Sequence, residues 1–86
     1  MKFLIISYKS RNNLFAITQT LKKLGVIVSI INTPRNISIS CGLSAKTDVK
    51  NLSLVTNIIK QSGMGGFLGA YIISFINGHE QIERVL

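Results

Sequence analysis

"VIVSIINTPRNISISCGLSAK", residues Val26 to Lys46, decides the fold by whether it holds one strand or two. Val26 to Ile31 is dense in β-branched side chains, which suit a pleated, half-buried surface. Asn32, Thr33 and Pro34 end that run. Pro34 fixes its own φ and pushes Thr33 out of the helical region. Cys41 to Lys46 is short, small and alternating, the pattern of a further strand. The stretch therefore reads as two strands in succession, with the segment through Ser40 as the turn between them.

On either side of this pair the periodicity is helical. Upstream, Leu14, Ile17, Leu21 and Leu24 recur at helix spacing, with Gln19, Lys22 and Lys23 on other faces. Ser10 to Asn13 offers capping side chains, and Gly25 is a natural stop. Downstream, Thr47 or Asp48 can cap a second helix whose apolar face is Leu52, Val55 and Ile59. Phe3 to Ser7 is a compact apolar run, read as a buried strand. Gly63, Gly65 and Gly66 make a flexible break before a strand over Gly69 to Ile76, and Asn77 to Leu86 reads as a short helix or loose tail.

The order is strand, helix, strand, strand, helix, strand. It predicts an α+β fold, the ferredoxin-like βαββαβ plan. In that plan a four-stranded antiparallel sheet carries two helices on one face, since right-handed crossovers place both on the same side. One domain over residues 1–86 is expected, with its core in about 2–76 and an unassigned tail in 77–86.

Composition narrows the function. An apolar fraction of 47% suits a folded chain. One cysteine allows no internal disulfide, so a reducing cytoplasm is the expected home. The opening apolar run stops at Ile6 and is followed by Lys9 and Arg11, unlike a secretory leader. No apolar run approaches the ~20 residues of a membrane span, so no membrane partner is expected. The net charge of +7 is unevenly placed. Eight cations against Asp48 occupy residues 1–50, whereas Lys60 and Arg84 balance Glu80 and Glu83 in the rest. Such a surface attracts anionic molecules, acidic proteins or nucleic acid, or simply keeps the chain soluble.

The topology places the lone thiol. The third strand runs antiparallel beside the first, so Cys41, at its start, belongs near the first strand's end at Tyr8. That end feeds the first helix, close to Lys9, Ser10, Arg11 and Asn12. A free thiol titrates near about 8.5. A helix N-terminus and the cations Lys9, Arg11 and Arg35 favour its thiolate. Ser38 and Ser40 can donate hydrogen bonds to a sulfur anion, and Gly42 lets another molecule approach. The plain alternative is that Cys41 is a small buried apolar residue, the usual fate of a cysteine in a strand.

Pro34, Arg35, Ile37, Ser38, Ser40, Cys41 and Gly42 together resemble the signature of a small bacterial family of selenium/sulfur carrier-like proteins. In that family Pro-Arg is followed by small or hydroxyl residues, then Cys-Gly and a strand. The resemblance covers roughly residues 2–76. It implies that Cys41 carries sulfur or selenium as a persulfide or selenopersulfide, with Arg35 as anion partner and Gly42 keeping the site open. The mechanism favoured on that resemblance is transfer without a cofactor. The implied partners are a sulfur or selenium donor protein, such as a cysteine desulfurase, and an acceptor protein. Family members usually keep an acid in the first helix, where this chain has Thr18, Gln19 and Thr20.

Other signals are weaker. His79 is the only histidine and makes no zinc set with one cysteine, so a surface place in the tail is expected. "GMGG", Gly63 to Gly66, lacks the Lys-Ser/Thr end of a phosphate loop. An RNA-binding or anion-binding module of the same plan is the main competitor. RNA-binding sheets stack bases on strand aromatics, and here the first strand offers only Phe3 and terminal Tyr8. A dimerising regulatory domain is a third reading, with a homodimer formed through Gly69 to Ile76 as an edge strand. Whether the chain is an enzyme at all stays open, with a carrier or accessory sulfurtransferase favoured.

Overall fold

A computed structural model describes residues 2–37, 42–63 and 65–86. The elements run β1 (Lys2–Tyr8), α1 (Arg11–Lys23), β2 (Val28–Asn32), β3 (Leu43–Asp48), a 3-10 turn (Val49–Asn51), α2 (Leu52–Ser62), β4 (Phe67–Ile76) and β5 (His79–Arg84). The strands form one five-stranded sheet in the order β2-β3-β1-β4-β5, with every neighbouring pair antiparallel.

Alternation along the strands sorts the sheet into two faces. Leu4, Ile6 and Tyr8 of β1 join Ala45 of β3, Ala70 of β4 and Val28 of β2 in the core. Leu14, Ile17 and Leu21 of α1 and Val55 of α2 close that core from above, so both helices cover one face. Phe3, Ile5 and Ser7 point to the other face. There the Lys46 ammonium lies 4.0 Å from the Phe3 ring centre, and the Arg84 guanidinium lies 5.9 Å from that of Tyr71.

Local chemistry explains the helix ends. The Ser10 hydroxyl accepts from the Asn13 N–H at 3.4 Å and starts α1. Asp48 caps the 3-10 turn by accepting from the Lys50 N–H at 2.8 Å. Leu24 falls one residue past α1 and is 56% exposed, so the apolar stripe ends at Leu21.

The expected four-stranded sheet needs correction: there are five strands. The tail expected to be a short helix or loose is β5, paired with β4 from Ile76↔His79 to Tyr71↔Arg84. Its turn is Asn77–Gly78, with φ of 51° and 78°. Two positive φ values in a two-residue loop are what a right-twisted hairpin requires, and Asn-Gly supplies them. Val85 and Leu86 then pack back on the core. A second correction follows. β4 lies between β1 and β5 and is no edge strand, so Gly69 to Ile76 cannot pair with a second copy. The glycine break is also tied down: the Gly66 carbonyl accepts from the Lys9 N–H at 2.7 Å, and the Gly65 carbonyl from the Asn13 amide at 2.9 Å.

Candidate functional site

The register sets the site. Ser7 pairs with Ser44, so β3 begins where β1 ends, as the topology required. Gly42, just before β3, therefore comes beside the β1–α1 junction. There Tyr8, Lys9, Arg11, Leu14, Gly42, Leu43 and Leu68 line a cleft of about 470 Å³. Three of the expected site residues, Lys9, Arg11 and Gly42, thus converge, and all three are exposed.

The expected sulfur residue, Cys41, and its expected donors, Ser38 and Ser40, lie outside the described residues. Arg35 is exposed in the turn closed by the Ile37 N–H donating to the Pro34 carbonyl at 3.0 Å, and it does not line the cleft. In the same turn Asn36 donates to the Glu80 carboxylate of β5 at 3.0 Å. His79 is exposed at the start of β5. Among the described residues no three His, Cys, Asp or Glu side chains gather as a metal site.

The two ends of the motif are fastened together. The Thr33 N–H donates to the Gly42 carbonyl at 3.1 Å. The Thr33 and Ser44 hydroxyls are hydrogen-bonded at 2.6 Å, and those of Ser44 and Ser7 at 2.9 Å. All three side chains are buried, where an unpaired hydroxyl is costly. This chain joins the first strand, the start of the motif and its end.

Four lining residues were not among the expected site residues: Leu14, from the apolar stripe of α1, and Tyr8, Leu43 and Leu68, which tertiary structure brings there. Between Ser7 and Tyr8 the β1–β4 register slips, from Ser7↔Gly69 to Tyr8↔Phe67. Leu68 is the residue left unmatched, and the irregularity turns it into the cleft, 41% exposed. Tyr8 forms the inner wall. Its ring is 3% exposed and packs edge-on against Phe67 at 5.4 Å between centres. Burial raises the Tyr8 phenol above its usual range, and a hydrogen bond with Ser62 at the end of α2 pulls it partly back. Leu43 is the first residue of β3. No sequence period announces the register slip; the end of a strand at Tyr8 was the only local hint.

The arrangement is a shallow cleft with an apolar floor, two cations and a glycine whose neighbour in the chain is the motif cysteine. It can receive an anion or a carboxylate-bearing group. No helix among the described residues is long and apolar enough to cross a membrane. The chain matches the family model described as "Putative Se/S carrier protein-like" over residues 3–66, which spans the Pro-Arg to Cys-Gly motif. No curated protein and no solved structure matches it.

Proposed function

The chain belongs to the Se/S carrier protein-like family, and from that membership we propose that it holds sulfur or selenium on Cys41 and passes it to an acceptor protein. The carrying observation is the family match across the motif. The cleft with Lys9, Arg11 and Gly42 supports the reading, because such surroundings favour thiolate over thiol.

The step is thiol–persulfide exchange. The Cys41 thiolate attacks the outer sulfur of a donor persulfide, such as that of a cysteine desulfurase. A new S–S bond forms on Cys41, the donor's S–S bond breaks, and the donor cysteine leaves as thiolate. Cys41 now bears the persulfide, and an acceptor nucleophile takes the outer sulfur in the same way, returning the Cys41 thiolate. No electrons are gained or lost overall, and no cofactor is required. Selenium follows the same course as a selenopersulfide. In this reading Lys9 and Arg11 of the cleft stabilise the anion, Arg35 acts on it from the turn outside the cleft, Ser38 and Ser40 donate to it, and Gly42 keeps the approach open.

The fold reads as the ferredoxin-like plan with one strand added, since β2-β3-β1-β4 keep that order and β5 extends the β4 edge. An RNA-binding reading requires rings free for stacking. Tyr8 faces the helices, and Phe3 and Tyr71 already have a cation over them. That leaves Phe75, 51% exposed near the end of β4, as a single open ring among the described residues of that sheet face, where base-stacking sheets use about two or three.

Intact mass after incubation with a cysteine desulfurase and cysteine tests the proposal. Wild type should gain about 32 Da per sulfur, removable by reductant, and Cys41→Ser should gain nothing. An unmodified wild-type mass, with Cys41 open to alkylation, would sink it.

A further inference from the structure

The charges of this protein are segregated with respect to the cleft. The chain has three carboxylates on side chains, Asp48, Glu80 and Glu83. Asp48 stands opposite Phe3, at the far end of β1 from the cleft. Glu80 stands opposite Phe75 and bonds Asn36, and Glu83 stands opposite Ile72. None lines the cleft, whereas Lys9 and Arg11 do. Arg84 does not line the cleft: its guanidinium donates to a Leu86 oxygen at 2.8 Å and to the Leu68 carbonyl at 3.2 Å, and so fixes the backbone behind Leu68. The floor beneath these charges is apolar, made by Leu14, Leu43 and Leu68.

We propose that this cleft docks an acidic segment of a partner protein, with carboxylates on Lys9 and Arg11 and one apolar side chain on the leucine floor. Charge complementarity selects an acidic partner, since the excess positive charge of the chain meets no internal acid here. The leucine floor selects protein over nucleic acid. Single-stranded nucleic acid needs exposed rings on which bases stack, and among the described residues the only aromatic side chain in this lining, Tyr8, is buried. The volume of about 470 Å³ admits one or two side chains, not a folded lobe. The inference deepens the carrier reading by naming the chemistry of the exchange partner. It rests on that reading for the partner's role, while binding itself requires no sulfur.

The probe is a fluorescent synthetic peptide of alternating glutamates and aspartates around a single leucine, followed by anisotropy with the whole protein. Binding should weaken with salt, and should fall at least about tenfold in Lys9→Glu/Arg11→Glu. Lys22→Glu/Lys23→Glu, the same charge change at the other end of α1, should retain most of it. A peptide with serine for leucine, and the variant Leu68→Ser, should each bind several-fold more weakly. Circular dichroism confirms that each variant is folded. Equal losses in the two charge variants, no dependence on the peptide leucine, or no binding would overturn the proposal. So would an oligouridine that binds more tightly than the peptide and displaces it. Cys41→Ser separates the two readings: peptide binding without sulfur uptake is expected of it. A wild type that binds the peptide but takes no sulfur would sink the carrier reading alone.

Discussion

The hydroxyls of Thr33 and Ser44 lie 2.6 Å apart and join the residue before Pro34 to the second residue after Gly42. Ser44 is also bonded to Ser7 at 2.9 Å, so it is the middle member of a buried chain. Removing it strands two hydroxyls at once. Ser44→Ala is expected to cost about 1–3 kcal/mol in denaturant unfolding. Ser7→Ala, at the end of the chain, should cost less. Equal effects would show that the middle position has no special weight.

The Asn77–Gly78 turn gives a second prediction. Gly78 has φ of 78°, a conformation that costs a residue with a Cβ about 1–2 kcal/mol. Gly78→Ala should lower stability by that order, and Asn77→Gly, which keeps the geometry, should be nearly neutral. Thermal unfolding followed by circular dichroism is the measurement.

Tyr8 makes the protein base-sensitive. Burial raises its phenol above the usual value of about 10, with Ser62 lowering it in part. The unfolded chain therefore loses this proton at lower pH than the native state does. The associated stability is complete below the unfolded value and is lost as pH rises from there through the folded value. Tyr8→Phe should flatten the decline of melting temperature above about pH 10 relative to wild type. Parallel pH curves for the two proteins would contradict this.

On the carrier reading, the two cations of the cleft act on the thiol. The alkylation rate of Cys41 against pH should have a midpoint below the free-thiol value of about 8.5 in wild type. Lys9→Ala/Arg11→Ala should move that midpoint upward and slow sulfur uptake at neutral pH. A midpoint unmoved by the double variant would remove Lys9 and Arg11 from the site.

Much of this was legible before folding. β1, both helices and the two successive strands around the motif follow from residue period, and their observed bounds differ from expectation by a few residues. Val26 is one such case: it is buried but precedes β2, while its neighbour Ile27 is 88% exposed. The expected cap of the second helix was displaced: Asp48 caps the 3-10 turn, Thr47 lies in β3, and α2 starts after Asn51 without a side-chain cap. The turn of the β4–β5 hairpin was also written in the chain, as Asn-Gly after the β-forming run Gly69 to Ile76. The hairpin is hard to recognise because β5, "HEQIER", has no apolar alternation of its own. Its place is set by pairing with β4 and by Val85 and Leu86 on the core.

The sequence alone was enough for β1 to β4 and both α-helices, their order and the nearness of the start of β3 to Lys9 and Arg11, but not for β5. Apolar period, capping and turn chemistry act within a few residues, and antiparallel pairing then fixes which strand ends meet. Only the folded chain decided that β4 is interior, that Tyr8 faces the helices, and that Leu68 opens into the cleft. It also decided that Thr33, Ser44 and Ser7 share one line of hydrogen bonds. Those facts depend on register between strands distant in sequence, and a slip of one residue there moves a side chain to the opposite face.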